Sequence, residues 1–146
     1  MDFYNVFLNA HKGIGYLVLL LVAVFILSLL ACMFGSSGKI SKLLKKSTLF
    51  TMIAFHTQVL VGLPLLFIFS PGVKAAVSNG TLMSDAYSRH TYVEHPFSML
   101  VAAILLTIIY RYMKTHDTIA MKIVIMGVVA VAFFAYAFPW IRVFGA

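Results

Sequence analysis

Five side chains in this chain can ligate a metal, carry a proton or hydrogen-bond, yet lie in or against long apolar runs: His11, His56, Gln58, Glu94 and His95. If those runs cross a bilayer, each such group needs a partner or a use, because ionisable side chains are costly at membrane depth. His11 and His95 share a pattern. One turn from His11 stands Gly15, then Val18 and Val22; the matching stripe from His95 is Met99, Ala102 and Leu106. Each stripe is apolar, with a small residue close to the imidazole. Two such stripes facing one another make a slot with ligand atoms at its rim and smooth walls below. That arrangement suits a flat macrocycle such as haem b, held by two axial imidazoles between helices. Lys12, Arg89 and Arg142 are the cations placed to meet its propionates. Met99 has a thioether for metal, though packing is its commoner role.

Other chemistries use the same residues. A Cu or Zn site could draw on His11, His90, His95 and Glu94, with His56 a further imidazole, since mixed imidazole and carboxylate donors suit those ions. A proton relay or quinol site could run through His56, Glu94 and His95. A cofactor-free structural subunit would use these groups only as hydrogen bonds between helices or to a partner. No Cys-x-x-Cys-His is present, which excludes covalently attached c-type haem, and the lone Cys32 excludes an internal disulfide.

The elements that position these residues follow from composition. The 146 residues are 62% hydrophobic and only 10% charged, the profile of a chain whose solvent is largely lipid. Crossing about 30 Å of hydrocarbon takes about 20 apolar residues. Four stretches qualify: 13–34, 48–70, 92–113 and 119–141. The expectation is an all-α integral membrane protein, a four-helix antiparallel bundle forming one domain over 1–146, with too little chain elsewhere for a soluble catalytic domain.

The net charge of +7 is not spread evenly. Lys39, Lys42, Lys45 and Lys46 fill the first connector, and Arg111, Lys114 and Lys122 flank the third. This is the positive-inside pattern. It places both termini and the segment 71–91 outside the cytoplasm. The basic runs are explained by attraction to anionic lipid, without nucleic acid. Leu29–Cys32 resembles a lipoprotein cleavage box, but the segment before it opens with Asp2 and is long, so it reads as a retained span.

Both His11 and His95 then fall at the outer end, near the first turn of their helices. His56 lies eight residues into its span, about 12 Å at helical rise, and so near mid-membrane. It stands about 200° from Gln58 around the helix, so the two cannot share a face. Pro96 fits the first position of a helix with His95 at the cap, or else bends a helix that starts upstream. Pro64 should kink its span. Pro71-Gly72 and Asn79-Gly80 read as turns, the stretch from Ser84 to His95 as helix, and Asp117 or Thr118 as the cap of the last helix.

The segments "NAHKGIGYLVLL", "FTMIAFHTQVLVGL", "YVEHPFSMLVAAILLTI" and "AFPWIR", in that order, resemble a family of small four-span bacterial membrane proteins labelled cytochrome b-like. The resemblance spans nearly the whole chain. It implies a four-helix fold in the bacterial cytoplasmic membrane and histidines of interest at His11, His56 and His95 with Glu94 beside the last, in a family without an established activity. The functional expectation is a haem b-binding electron-transfer protein or accessory subunit of a respiratory membrane complex, able to self-associate, with no catalytic motif of its own.

Overall fold

The computed structural model describes residues 2–35 and 38–145, with the Arg142 side chain outside the described residues. Among these residues the structure is helical throughout. The long elements are α1 (Phe3–Gly35), α2 (Lys42–Pro64), α5 (His95–Thr115) and α6 (Met121–Ala137); α3 (Pro71–Ser78), α4 (Ala86–Arg89) and α7 (Trp140–Phe144) are short. π-helical turns extend α2 over Leu65–Phe69 and join α4 to α5 over His90–Glu94. Helix α1 packs on α2, α2 on α5, α5 on α6, and α6 returns to α1. This ring puts α1 and α5 on a diagonal, so side chains from both can meet at the centre.

Three helical runs, Phe3–Gly35, Lys42–Phe69 and Ala86–Thr115, are long and apolar enough to cross a bilayer, while Met121–Ala137 is a shorter apolar helix. Their outer faces carry exposed Leu20, Leu27, Leu60, Phe67, Ile104 and Ile125. Contiguous apolar surface of this kind suits lipid rather than water. The protein is therefore compatible with a membrane setting.

The helix limits differ from the sequence expectation for physical reasons. Helix α1 starts at Phe3 rather than at residue 13, and α2 starts at Lys42 rather than at residue 48. Polar first turns join the helix because nothing in them breaks it, and the Ser41 side chain accepts from the Leu44 N–H as the α2 cap. The last helix ends early, at Ala137, because Phe138 precedes Pro139 and turns extended at ψ 134°. Its cap is Ala120 with no side-chain bond, not Asp117 or Thr118. Those two are drawn into a small antiparallel bridge between connectors. Ile40 N–H donates to the Asp117 carbonyl at 2.8 Å, and Ile119 N–H to the Gly38 carbonyl at 2.8 Å. Gly38 makes the bridge possible with φ at +78°.

Proline placement explains the π turns. Pro96 cannot donate to the carbonyl of Tyr92, and His95 N–H reaches back five residues to His90. The helix is widened by one residue and continues upstream, so Pro96 bends an existing helix rather than starting one. Pro64 is likewise followed directly by a π turn. Pro71 begins α3 with Ser70 as its cap, so Pro71-Gly72 opens a helix and not a turn. Asn79-Gly80 does end that helix, with Gly80 at φ +67°.

The interior is built from Phe25, Leu29, Leu44, Phe55, Leu106, Ile109 and Met113. Its threonines bond both within and between helices. Thr48 and Thr51 donate to the carbonyls of Leu44 and Ser47 at 2.7 Å each, and the same hydroxyls reach Met113 Sδ of α5 at 3.4 Å and the Leu21 carbonyl of α1 at 3.2 Å. Gly127 marks the closest approach of α6 to α1. A Cβ there would sit 2.6 Å from Leu29 Cδ2 and 3.3 Å from Phe25 Cζ.

Candidate functional site

His11 and His95 meet across the diagonal. Their ring centroids are 6.0 Å apart, with planes at 70°. The two stripes below them do point inward: Val18, Val22, Ala102 and Leu106 are buried, and Met99 packs against the same core. The depth differs from expectation. His11 lies eight residues inside α1, and His95 nine residues inside the helix that begins at Ala86. Each imidazole is therefore more than two turns from its helix start. They stay level because both helices gain a similar length at the same end.

Each ring is positioned by a neighbouring helix. His95 Nδ1 donates to the Ala137 carbonyl at 2.9 Å. A carbonyl only accepts, so the proton sits on Nδ1 and Nε2 carries the lone pair, the usual tautomer of a metal-ligating histidine. That carbonyl is free to accept at the last residue of α6, where the chain turns away before Pro139. On the other side, Gln58 Nε2 donates to the His11 backbone carbonyl at 3.0 Å. Gly15 leaves room for this amide, since a Cβ there would meet Gln58 Nε2 at 3.3 Å. Gly62 leaves room for the His11 ring, whose Cε1 would lie 3.2 Å from an added Cβ. His11 Nδ1 and Gln58 Oε1 are buried without a hydrogen-bond partner. Such orphaned groups cost about 1–3 kcal/mol each in a protein interior.

The fit to an axial pair can be tested by length. Metal–imidazole bonds of about 2.0–2.1 Å, with roughly 1 Å from nitrogen to ring centre, put trans imidazole centroids about 6 Å apart. The observed 6.0 Å agrees. Among the described residues no three His, Cys, Asp or Glu side chains converge on one point. The proposed ligand set of His11, His90, His95 and Glu94 is instead divided in two. Two hollows found in the protein, of about 290 and 230 Å³, lie away from the pair, beside Ile14–Thr57 and Lys42–Tyr110 residues respectively.

The second group is a polar cluster at the same end of the bundle as His95. Arg89 Nε donates to Glu94 Oε1 at 3.0 Å, and His90 Nδ1 lies 3.2 Å from Glu94 Oε2. The Tyr136 hydroxyl donates to the same oxygen as His90, and Arg89 also bonds the Met83 carbonyl. Glu94 thus pairs with Arg89, which commits to that carboxylate one of the cations expected to meet propionates. Lys12 is exposed, and among the described residues it forms no ion pair. The Arg142 side chain lies outside the described residues. Because the cluster is largely open to solvent, Glu94→Gln is expected to lower the unfolding midpoint only slightly, and the loss should shrink with added salt. Thermal unfolding at low and high ionic strength checks this.

His56 stands apart. It is exposed on α2, its Nδ1 donates to the Met52 carbonyl at 2.8 Å, and its Nε2 lies 3.5 Å from Thr107 Oγ1. Thr107 is twelve residues beyond His95 on α5, about 18 Å along the axis. His56 therefore does not join the pair. It bonds within its own helix while Gln58 reaches across to α1, as their 200° separation requires.

The roles of the Ala137 carbonyl, Tyr136 and Gly62 were not singled out in sequence. Gly62 and Ala137 carry a signal, as small residues in spans, but a backbone acceptor has none. No protein-family model, curated protein or solved structure matches this chain.

Proposed function

We propose that the chain is a four-helix protein of the bacterial cytoplasmic membrane that binds haem b through His11 and His95. It would serve as an electron-transfer protein or as an accessory subunit of a respiratory membrane complex. In this reading both termini and the His11–His95 end face outward and the lysine-rich connectors face the cytoplasm. The observation that carries the proposal is the pair itself: two imidazoles from diagonal helices with ring centroids 6.0 Å apart, and no group of three His, Cys, Asp or Glu side chains converging among the described residues. Two side chains are too few for a bare Zn ion, which takes at least three. Two histidines would be enough to hold a haem iron, so His11 and His95 are the residues that would hold it. The resemblance to cytochrome b-like proteins points the same way.

When bound, the haem supplies one-electron redox chemistry. This chain's residues do the rest. The Ala137 carbonyl fixes the His95 tautomer and strengthens its lone pair. Gln58, Gly15 and Gly62 hold the α1 segment that presents His11. The Arg89–Glu94–His90–Tyr136 cluster seals the outer end next to His95 and tethers α6 to the α4–α5 run. Of the cations matched to the propionates in sequence, Lys12 is the described one outside an ion pair.

The test is an absorption spectrum of protein purified from cells supplied with haem. A Soret band with low-spin α and β bands on reduction is expected. Its absence under those conditions would sink the haem reading and leave the cofactor-free structural subunit in its place. Metal analysis of the same sample reports on a bare Cu or Zn ion.

A further inference from the structure

We infer that the basic end of the protein holds a dedicated site for an anionic phospholipid, between α2 and α5. Lys42, Lys45, Lys46 and Leu49 fall at i, i+3, i+4 and i+7, one face of α2, and with Tyr110 of α5 they line a hollow of about 230 Å³. The lining is mostly apolar, from Leu49, Tyr110 and the alkyl parts of the three lysines, each of which ends in an ammonium group. The start of an acyl chain matches the apolar lining, and a phosphate matches the charge the three lysines bring to it. Basic pockets between helices on the cytoplasmic side of a membrane are a known form of headgroup recognition.

Charge around the hollow agrees. Lys39, Lys42, Lys45, Lys46, Arg111, Lys114 and Lys122 share this end with Asp117 as its one acid. Among the described residues none of these lysines is in an ion pair. The furrow also continues. His56 lies one heptad beyond Leu49 on α2, and its contact with Thr107 of α5 extends the α2–α5 seam from the hollow into the middle of the helices. An acyl chain in that seam would cover the exposed His56 edge. The site rests on the membrane placement proposed above and is independent of haem.

The experiment uses the full chain purified in mild detergent, with phosphatidylglycerol, phosphatidylcholine or inorganic phosphate added, read by native mass spectrometry and thermal shift. Phosphatidylglycerol should be retained over phosphatidylcholine. Lys45→Gln with Lys46→Gln should weaken it roughly thirtyfold, the order expected for two membrane-surface cations. Leu49→Trp should also weaken it, although surface charge is unchanged. Lys114→Gln with Lys122→Gln should leave it near wild type. Equal losses in the two double lysine variants would show diffuse attraction and overturn the site. Retention unchanged in Leu49→Trp would do the same. Displacement of the lipid by inorganic phosphate at equal concentration would leave an anion site with no lipid specificity, and so also overturn it. A missing Soret band with specific phosphatidylglycerol retention would remove the haem reading alone.

Discussion

Protein carrying His11→Ala or His95→Ala is expected to lose the low-spin haem spectrum, while His56→Ala keeps it. The rings of His11 and His95 lie 6.0 Å apart, and each occupies one side of the place where iron would sit. Losing a hydrogen-bond partner behind a metal ligand typically costs about 10–100-fold in affinity; losing the ligand itself should cost at least that. Titration of purified apoprotein with haem gives the affinity. Thermal unfolding gives an independent reading, because a ligand at about 100 times its Kd stabilises the fold by about 2.7 kcal/mol. Wild type and His56→Ala should gain this increment and the other two should not. If His56→Ala loses the spectrum as fully as His95→Ala does, the assignment of the pair is wrong. His56 is the informative control because it bonds its own helix, about 18 Å along α5 from the level of His95.

Gly127→Val should destabilise the fold by about 1–3 kcal/mol, the usual range for overpacking a filled interior. The glycine lets α6 approach α1 where Leu29 and the Phe25 ring already occupy the space of a Cβ. Lipid tails are as apolar as leucine, so helices in a bilayer associate through close packing rather than by escaping solvent. A side chain wedged at Gly127 therefore removes much of what holds α6 to α1. Gly13→Val is the control, because a Cβ at Gly13 meets nothing within 4 Å. Unfolding midpoints of the two variants in the same detergent should differ by several degrees. Equal midpoints would mean that α1 and α6 do not approach as closely as described.

These two experiments probe features of different legibility. His11 and His95 could be paired from sequence because charge asymmetry set the direction of each helix, and direction set the depth of each imidazole. The inward stripes were equally legible, since residues at helical spacing from a histidine share its face. Helix limits were less so. Hydropathy marks where lipid would begin, but the helix continues into Phe3–Lys12 and Lys42–Ser47 until a cap or proline stops it. The Asp117 and Thr118 caps failed because their backbone was taken by a bridge to Gly38 and Ile40, a pairing between segments about eighty residues apart in the chain.

The sequence by itself determined an all-helical, largely apolar chain, with seven of its eleven basic residues collected at one end and His11 and His95 level at the other. Composition, charge position and helical period are local properties, and they need no partner to be read. Only the tertiary structure decided which groups meet. It set α1 diagonal to α5 so that the two rings face each other. It brought the Ala137 carbonyl to His95, Gln58 to the His11 backbone and Tyr136 to Glu94. It also divided the ionisable residues into an imidazole pair and a separate carboxylate cluster. Those contacts depend on the order in which helices pack and on side chains small enough to allow it, and packing order is a property of the whole chain.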